Sequence, residues 1–263
     1  MTTKSEKLEA FEKILAIMDE LRTKCPWDRE QTNETLRTLT IEETFELSEA
    51  VLSKDDNAIK KELGDLFLHL IFYSKIGEEQ SKFDIGDVIN SLAEKLIYRH
   101  PHVFGETKVA GTEDVIQNWE ELKLKEKDGN TSVLSGIPKS LSAIIKAVRI
   151  QHKARGVGFD WEEKEQVWEK VHEEITELQE EVKKNDKDKM EAEFGDILFA
   201  LINTARLYDI NPEDALERTN RKFINRFNYL ESQTIKKGIS LKNMTLAEMD
   251  VYWEEAKRIE KNK

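Results

Sequence analysis

Residues 173–196 read EEITELQEEVKKNDKDKMEAEFGD, and residues 42–65 read EETFELSEAVLSKDDNAIKKELGD. Glu42-Glu43-x-x-Glu46 returns as Glu173-Glu174-x-x-Glu177, and Glu62-x-Gly-Asp65 returns as Glu193-x-Gly-Asp196, both displaced by 131 residues. Two further blocks follow in the same order. Lys95-Leu-Ile-Tyr-Arg99 matches Lys222-Phe-Ile-Asn-Arg226 at an offset of 127, and Trp119-Glu-Glu-Leu-Lys123 matches Trp253-Glu-Glu-Ala-Lys257 at 134. Biased composition does not generate four ordered blocks at a nearly constant offset, so the chain reads as a tandem duplication.

Working outward, apolar residues recur at helical spacing, as in Leu8, Phe11, Ile14, Leu15, Met18 and Leu21 between charges. The pattern predicts helices over 5–22, 40–53, 58–76, 84–98, 112–126, 139–154, 162–184, 188–207, 212–232 and 245–260. No run of alternating β-branched residues competes with them. Cys25-Pro26-Trp27-Asp28 interrupts the first helix, and Pro101 disfavours helical geometry at His100. Lys127 to Ser132, with Gly136 and Pro138, is a polar, breaker-rich linker. The expected fold is all-α: two tandem, duplicated helical-bundle domains at 1–128 and 139–263, joined by a linker at 129–138.

With 38% hydrophobic residues the chain can build a core, and with 36% charged residues it keeps much solvated surface. Four Pro and eleven Gly suit long helices better than a turn-rich β architecture. A net charge of −12 disfavours nucleic-acid binding, which needs clustered Lys and Arg. It leaves nucleotide substrates open, because a divalent cation can sit between carboxylates and phosphates. One cysteine, Cys25, cannot form an internal disulfide. No apolar run approaches the roughly 18 residues of a membrane span, and no signal-peptide pattern opens the chain. The expectation is a cytoplasmic protein with no membrane partner.

On a helix, Glu174 and Glu177 are three apart and Glu173 and Glu177 four apart, so their carboxylates share a face. Glu193 and Asp196 share a face of the next helix. If the two helices pair antiparallel, four or five carboxylates meet across the seam. Such a group repels itself without a cation, and Mg2+ prefers hard oxygen ligands and completes its shell with substrate phosphates. The first copy offers the same set in Glu42, Glu43, Glu46, Glu62 and Asp65, with Lys95, Arg99 and Trp119 as further equivalents. Gly64 and Gly195, set inside helical stretches, suggest close approach by a helix or ligand.

A lone E-E-x-x-E in a chain this rich in Glu is ordinarily solvated helix surface; its repetition with a spaced E-x-G-D reverses that reading. Lys222 and Arg226, one turn apart, could grip phosphates, although read alone they fit a snorkelling surface pair better. Trp253 could stack on a base or pack against its own domain. Lys189 could offset phosphate charge or lie exposed. Glu169-x-x-His172 stands alone, so a di-iron bundle is not indicated. There is no C-x-x-C, no Walker A loop and no Gly-x-Ser-x-Gly elbow. Magnesium chemistry on a nucleotide remains, with a non-catalytic nucleotide-binding regulatory protein as the alternative and a plain helical scaffold as the weaker one.

These motifs, together with Cys25-Pro26-Trp27-Asp28, His100-Pro101-His102-Val103-Phe104-Gly105, Ile137-Pro138-Lys139-Ser140-Leu141 and Val157-Gly158-Phe159-Asp160-Trp161, resemble the MazG proteins over the whole chain. MazG proteins are all-α nucleoside triphosphate pyrophosphohydrolases. The resemblance implies Mg2+-dependent hydrolysis of the α–β phosphoanhydride of ribo- and deoxyribonucleoside triphosphates, with broad base tolerance. It also implies a homodimer, and activity centred on the second copy. It assigns metal binding to Glu174, Glu177, Glu193 and Asp196, and a second ion or the attacking water to Glu173. Phosphate contacts fall to Lys189, Lys222 and Arg226, and base stacking to Trp253. Nucleotide-pool housekeeping or a stress response is the implied setting.

Overall fold

A computed structural model describes residues 1–125 and 132–261. The chain divides into two compact units, Met1–Gly111 and Thr112–Lys263. Among the described residues there is no strand. Residues 126–131, which include the end of the helix expected at 112–126 and the start of the expected linker, lie outside them. Residues 132–142 run as turns and bends.

The first unit contains α1 (Lys4–Lys24), α2 (Pro26–Glu30), α3 (Asn33–Ser53), α4 (Asp56–Glu79), α5 (Ile85–Arg99) and α6 (Pro101–Phe104). Two boundaries differ from the sequence pattern. The Cys25–Asp28 interruption is itself a one-turn helix, because Pro26 at its first position already has helical φ and needs no N–H partner. α3 starts at Asn33 rather than near Thr40, because Thr32 accepts from Thr35 N–H while the Thr35 hydroxyl accepts from Thr32 N–H. That polar capping box stabilises a first turn that carries little apolar periodicity.

The second unit contains α7 (Thr112–Lys125), α8 (Ala143–Arg155), α9 (Gln166–Lys184), α10 (Lys187–Leu207), α11 (Pro212–Lys236), a 3-10 turn at Leu241–Asn243 and α12 (Leu246–Lys261). The repeat placed the 112–125 helix at the end of the first copy; in the compact division it falls in the second unit. α8 begins at Ala143 and α9 at Gln166, each four residues later than the periodicity suggested. In this unit α10 packs along α9 and against α8, and α11 pairs with α12.

One connection explains both central hairpins. α3 ends on Lys54 at φ 57° and α9 on Asn185 at φ 56°, left-handed positions that stop the helix. The next residue, Asp55 or Asp186, caps the following helix through its carboxylate. Two residues therefore reverse the chain, and each hairpin returns its E-E-x-x-E beside its E-x-G-D.

The core of the first unit is Met18, Leu36, Ile71, Phe72 and Ile76, with Leu39 and Leu68 packed against it. Arg22 closes one side, its guanidinium 5.4 Å from the Phe72 ring centre and hydrogen-bonded to Glu79 at 2.8 Å. That contact holds the Glu79 carboxyl below its ordinary value of 4.5, against the upward push of burial. The folded pKa lies below the unfolded one, so its stabilisation is present above about pH 4.5 and disappears as pH falls through the lowered value. Glu79 is 38% exposed, which limits the effect to under ~1 kcal/mol. Glu79→Gln should flatten the acid limb of a urea-stability profile; an identical limb in the variant would contradict this assignment.

Candidate functional site: a carboxylate cluster beside a cavity

α9 and α10 bring carboxylate oxygens of Glu174, Glu177 and Glu193 within 4.8 Å of one another. Glu174 is buried, Glu193 partly so, and Glu177 open to solvent. Asp196, one turn beyond Glu193, lies with Glu174 on the wall of an adjoining cavity of about 550 Å3. Desolvation beside its neighbours raises the pKa of the Glu177 carboxyl, and Glu174, Glu193 and Glu173 repel its charge further. Lys170, one turn before Glu174, answers part of that charge with Nζ 2.7 Å from Glu174 and 2.8 Å from Glu173. Those two carboxylates in turn raise the Lys170 pKa.

The donor set fits a small hard cation. Carboxylate oxygens within 4.8 Å of one another are near enough for one hard cation to reach all three. All the donors are carboxylate oxygens, and their mutual repulsion is what a divalent cation relieves.

The first unit repeats the arrangement on α3 and α4 with a different trio, Glu43, Glu62 and Asp65. Partial burial and then Asp65, Glu46 and Glu62 push the Glu43 carboxyl up. Lys61 Nζ sits 3.0 Å from Glu62 and 3.5 Å from Asp65. Glu42 and Glu46 are exposed outside the trio.

The other expected residues stand elsewhere. Lys189 is exposed at the start of α10, 3.8 Å from Asp186. Lys222 is exposed on α11. Arg226 is bound to Glu260 on α12 at 2.7 Å and stands 5.8 Å from the Trp253 ring centre. Trp253 packs on Phe223 at 5.0 Å between ring centres. None of these four lines the cavity. Of the equivalents expected in the first repeat, Lys95 and Arg99 lie on α5, while Trp119 on α7 has Lys123 5.6 Å from its ring. Gly64 and Gly195 face open space, with nothing within 4 Å of an added Cβ. Among the described residues no neighbouring atom comes that near either glycine, so the expectation of a helix in close contact is corrected.

Several residues at the site carried no assigned role in the sequence. Asp160, in the Val157–Trp161 segment, accepts from Arg206 Nη1 at 3.0 Å and also from its Nη2. Asn203 Oδ1 accepts from Arg206 Nε at 2.9 Å and Nη2 at 2.8 Å. Burial pushes the Asp160 carboxyl up, but the Arg206 contacts, the Trp161 N–H and Arg155 outweigh it and leave it lowered. Gln151 of α8 donates from Nε2 to the Phe199 carbonyl at 2.9 Å. Asp160, Asn203, Arg206, Gln151 and Lys170 all line the cavity. Of these, Lys170 had a legible signal in its i−4 spacing from Glu174, and Asp160 in its place within the Val157–Trp161 motif.

The comparisons with known proteins agree with this architecture. The sequence profile of the MazG nucleotide pyrophosphohydrolase domain matches twice, at residues 31–104 and 162–230. The Thermotoga maritima nucleoside triphosphate pyrophosphohydrolase/pyrophosphatase MazG is 42% identical over 250 residues, 94% of this chain and 95% of that protein. The Escherichia coli K12 nucleoside triphosphate pyrophosphohydrolase is 36% identical over 260 residues, 96% and 99% of the two chains. Bacillus subtilis YabN is 45% identical over 264 residues, 98% of this chain and 54% of that longer protein. With two matched domains on two carboxylate hairpins, the chain belongs to the MazG nucleotide pyrophosphohydrolase family.

Proposed function

We propose that the second copy hydrolyses ribo- and deoxyribonucleoside triphosphates to monophosphate and pyrophosphate, with Mg2+ held by Glu174, Glu177, Glu193 and Asp196. One observation carries this reading: three carboxylates converge, one of them, Glu174, on the wall of a ligand-sized cavity that Asp196 also lines, in a chain whose relatives are named for that reaction. When bound, Mg2+ neutralises triphosphate charge and acidifies water.

The chain's own groups do the remaining work. Glu173 stands outside the converging trio and accepts the proton of the attacking water, while Lys170 holds it beside Glu174. Water adds to the α-phosphorus as the bond to the bridging oxygen breaks, and pyrophosphate leaves. Lys170 exchanges a carboxylate for a phosphate oxygen as substrate enters. Lys189, Lys222 and Arg226 supply further positive charge to the phosphates, Arg226 by releasing Glu260. The role is upkeep of the nucleotide pool. Purified protein with Mg2+ should release monophosphate and pyrophosphate in equal amounts; nucleoside diphosphate with orthophosphate would overturn the reaction. Magnesium-dependent nucleotide binding with no product would support the non-catalytic regulatory reading instead.

The active form is a homodimer. Phe194, Leu198 and Leu201 form an exposed apolar row on α10, and Leu63, Phe67 and Leu70 repeat it on α4 at the same 131-residue offset. Contiguous apolar rows of this kind mark association surfaces. Wild-type protein should sediment as a dimer and Leu198→Asp as a monomer; a monomeric wild type would contradict the proposal. Among the described residues no helix is long and apolar enough to cross a membrane.

A further inference from the structure

The two carboxylate hairpins differ in what surrounds their acids. At the 131-residue offset Lys170 of the second copy corresponds to Leu39 of the first, and Ala200 to His69. In the second copy Lys170 answers the charge of Glu174 and Glu173. In the first, Leu39 packs against the apolar core and offers Glu43 no charge. One carboxylate oxygen of Glu43, Oε2, is buried there without a hydrogen-bond partner. Lys61 pairs with Glu62 and Asp65 from a side chain that is 65% exposed, a contact of small net worth. The duplication has thus kept the acids twice, but exchanged a lysine beside them for a histidine.

His69 is only 7% exposed, and its Nδ1 is buried without a hydrogen-bond partner. A buried, unsatisfied nitrogen is costly unless a ligand takes it up. Glu62, Asp65 and His69 follow one another at i, i+3 and i+7 on one face of α4. Side chains on a helix lean toward its N-terminus, so the His69 ring lies over the turn that carries Asp65. The Asp65 charge acts on that ring. An acid and a histidine at i, i+4 share the spacing by which paired histidines on a helix chelate one metal ion. His69 stands outside the 4.8 Å trio of Glu43, Glu62 and Asp65, between Asp65 and the core residue Phe72 along α4. It adds a nitrogen to a site otherwise made of oxygen. Mg2+ takes hard oxygen ligands, whereas an imidazole among carboxylates favours the first-row transition ions.

We infer that the first copy binds a transition-metal ion such as Zn2+ through Glu43 of α3 and Glu62, Asp65 and His69 of α4, and that the ion staples this hairpin together. The inference stands apart from the hydrolysis proposed for the second copy, and its readouts are binding and structure rather than turnover. Zn2+ is titrated calorimetrically into full-length protein carrying Glu177→Gln, with Mg2+ in excess, so that the second cluster contributes little. One Zn2+ per chain is expected. Adding His69→Gln should weaken it about 100-fold, since even the loss of a partner behind a metal ligand costs about 10–100-fold. X-ray absorption at the zinc edge should show imidazole scattering that His69→Gln removes. Zn2+ should also raise the melting temperature, and far less so in His69→Gln. Melting in chelator reports whether His69→Gln has kept its fold, and Asp65→Asn, at a half-buried position, carries the same test if it has not. Equal Zn2+ affinity with and without His69 would overturn the inference. A zinc spectrum without imidazole would also overturn it, leaving an all-oxygen cluster like that of the second copy, as would Zn2+ binding no tighter than Mg2+.

Discussion

Glu177→Gln is expected to lower turnover by about 10³-fold, the scale on which losing one well-placed electrostatic group acts, while the protein stays folded. The side chain keeps its size and loses only its charge. Glu177 is the most solvent-open member of the trio and receives the repulsion of Glu174, Glu193 and Glu173. The sign of the stability change separates this from a folding defect. The folded pKa of Glu177 lies above its ordinary 4.5, so its stabilisation is complete below about 4.5 and lost as pH rises through the raised value. At neutral pH, without metal, the ionised carboxylate therefore opposes folding, and glutamine relieves that opposition. In chelator the variant should melt no lower than wild type. Adding Mg2+ should stabilise the wild type, since a ligand of the native state must, and the variant much less. Full turnover in the variant would remove Glu177 from the site; a lower melting point in chelator would contradict the electrostatic account.

Phe72→Ala is expected to cost about 3–5 kcal/mol of stability, the usual range for removing a buried aromatic side chain. Phe72 is 1% exposed, shares its cluster with Met18, Leu36, Ile71 and Ile76, and has the Arg22 guanidinium over its ring. Truncation removes the transfer free energy of the ring and leaves a hole that its neighbours cannot close together. It also strips Arg22 of its aromatic partner, although the Glu79 contact remains. Urea unfolding should show the loss in the transition of the first unit. Asn203→Ala, at the equivalent place in the second copy, should cost far less, because the space beside Asn203 is already open. Equal losses in the two variants would mean that the copies are packed alike there.

Much of this architecture is legible in the residues, for identifiable reasons. The helices follow from period 3.6 patterning, and the duplication from sparse acids at one offset. The convergence of Glu174, Glu177 and Glu193 follows because i, i+3 spacing on α9 and a two-residue reversal at Asn185-Asp186 leave little freedom. The early start of α3 was hidden because a Thr32–Thr35 capping box is polar and carries no apolar period. The Asp160–Arg206 pair was hidden because it joins residues 46 apart, which no local pattern encodes. The cavity was hidden for a subtler reason. Phe72 and Asn203 occupy the same helical register, and whether that position fills a core or opens one depends on neighbours from α1 or α8. Arg226 and Trp253 have phosphate and base roles from resemblance; that Arg226 pairs with Glu260 and Trp253 packs on Phe223 joins separate helices, which no local pattern encodes.

The central claim is that the second carboxylate hairpin directs water onto the α-phosphorus of a nucleoside triphosphate. Turnover with Mg2+ in water enriched in the heavy oxygen isotope, followed by mass analysis of both products, tests it directly. The account predicts one labelled oxygen in the nucleoside monophosphate and none in the pyrophosphate. Label in the pyrophosphate, or in released orthophosphate, would contradict it.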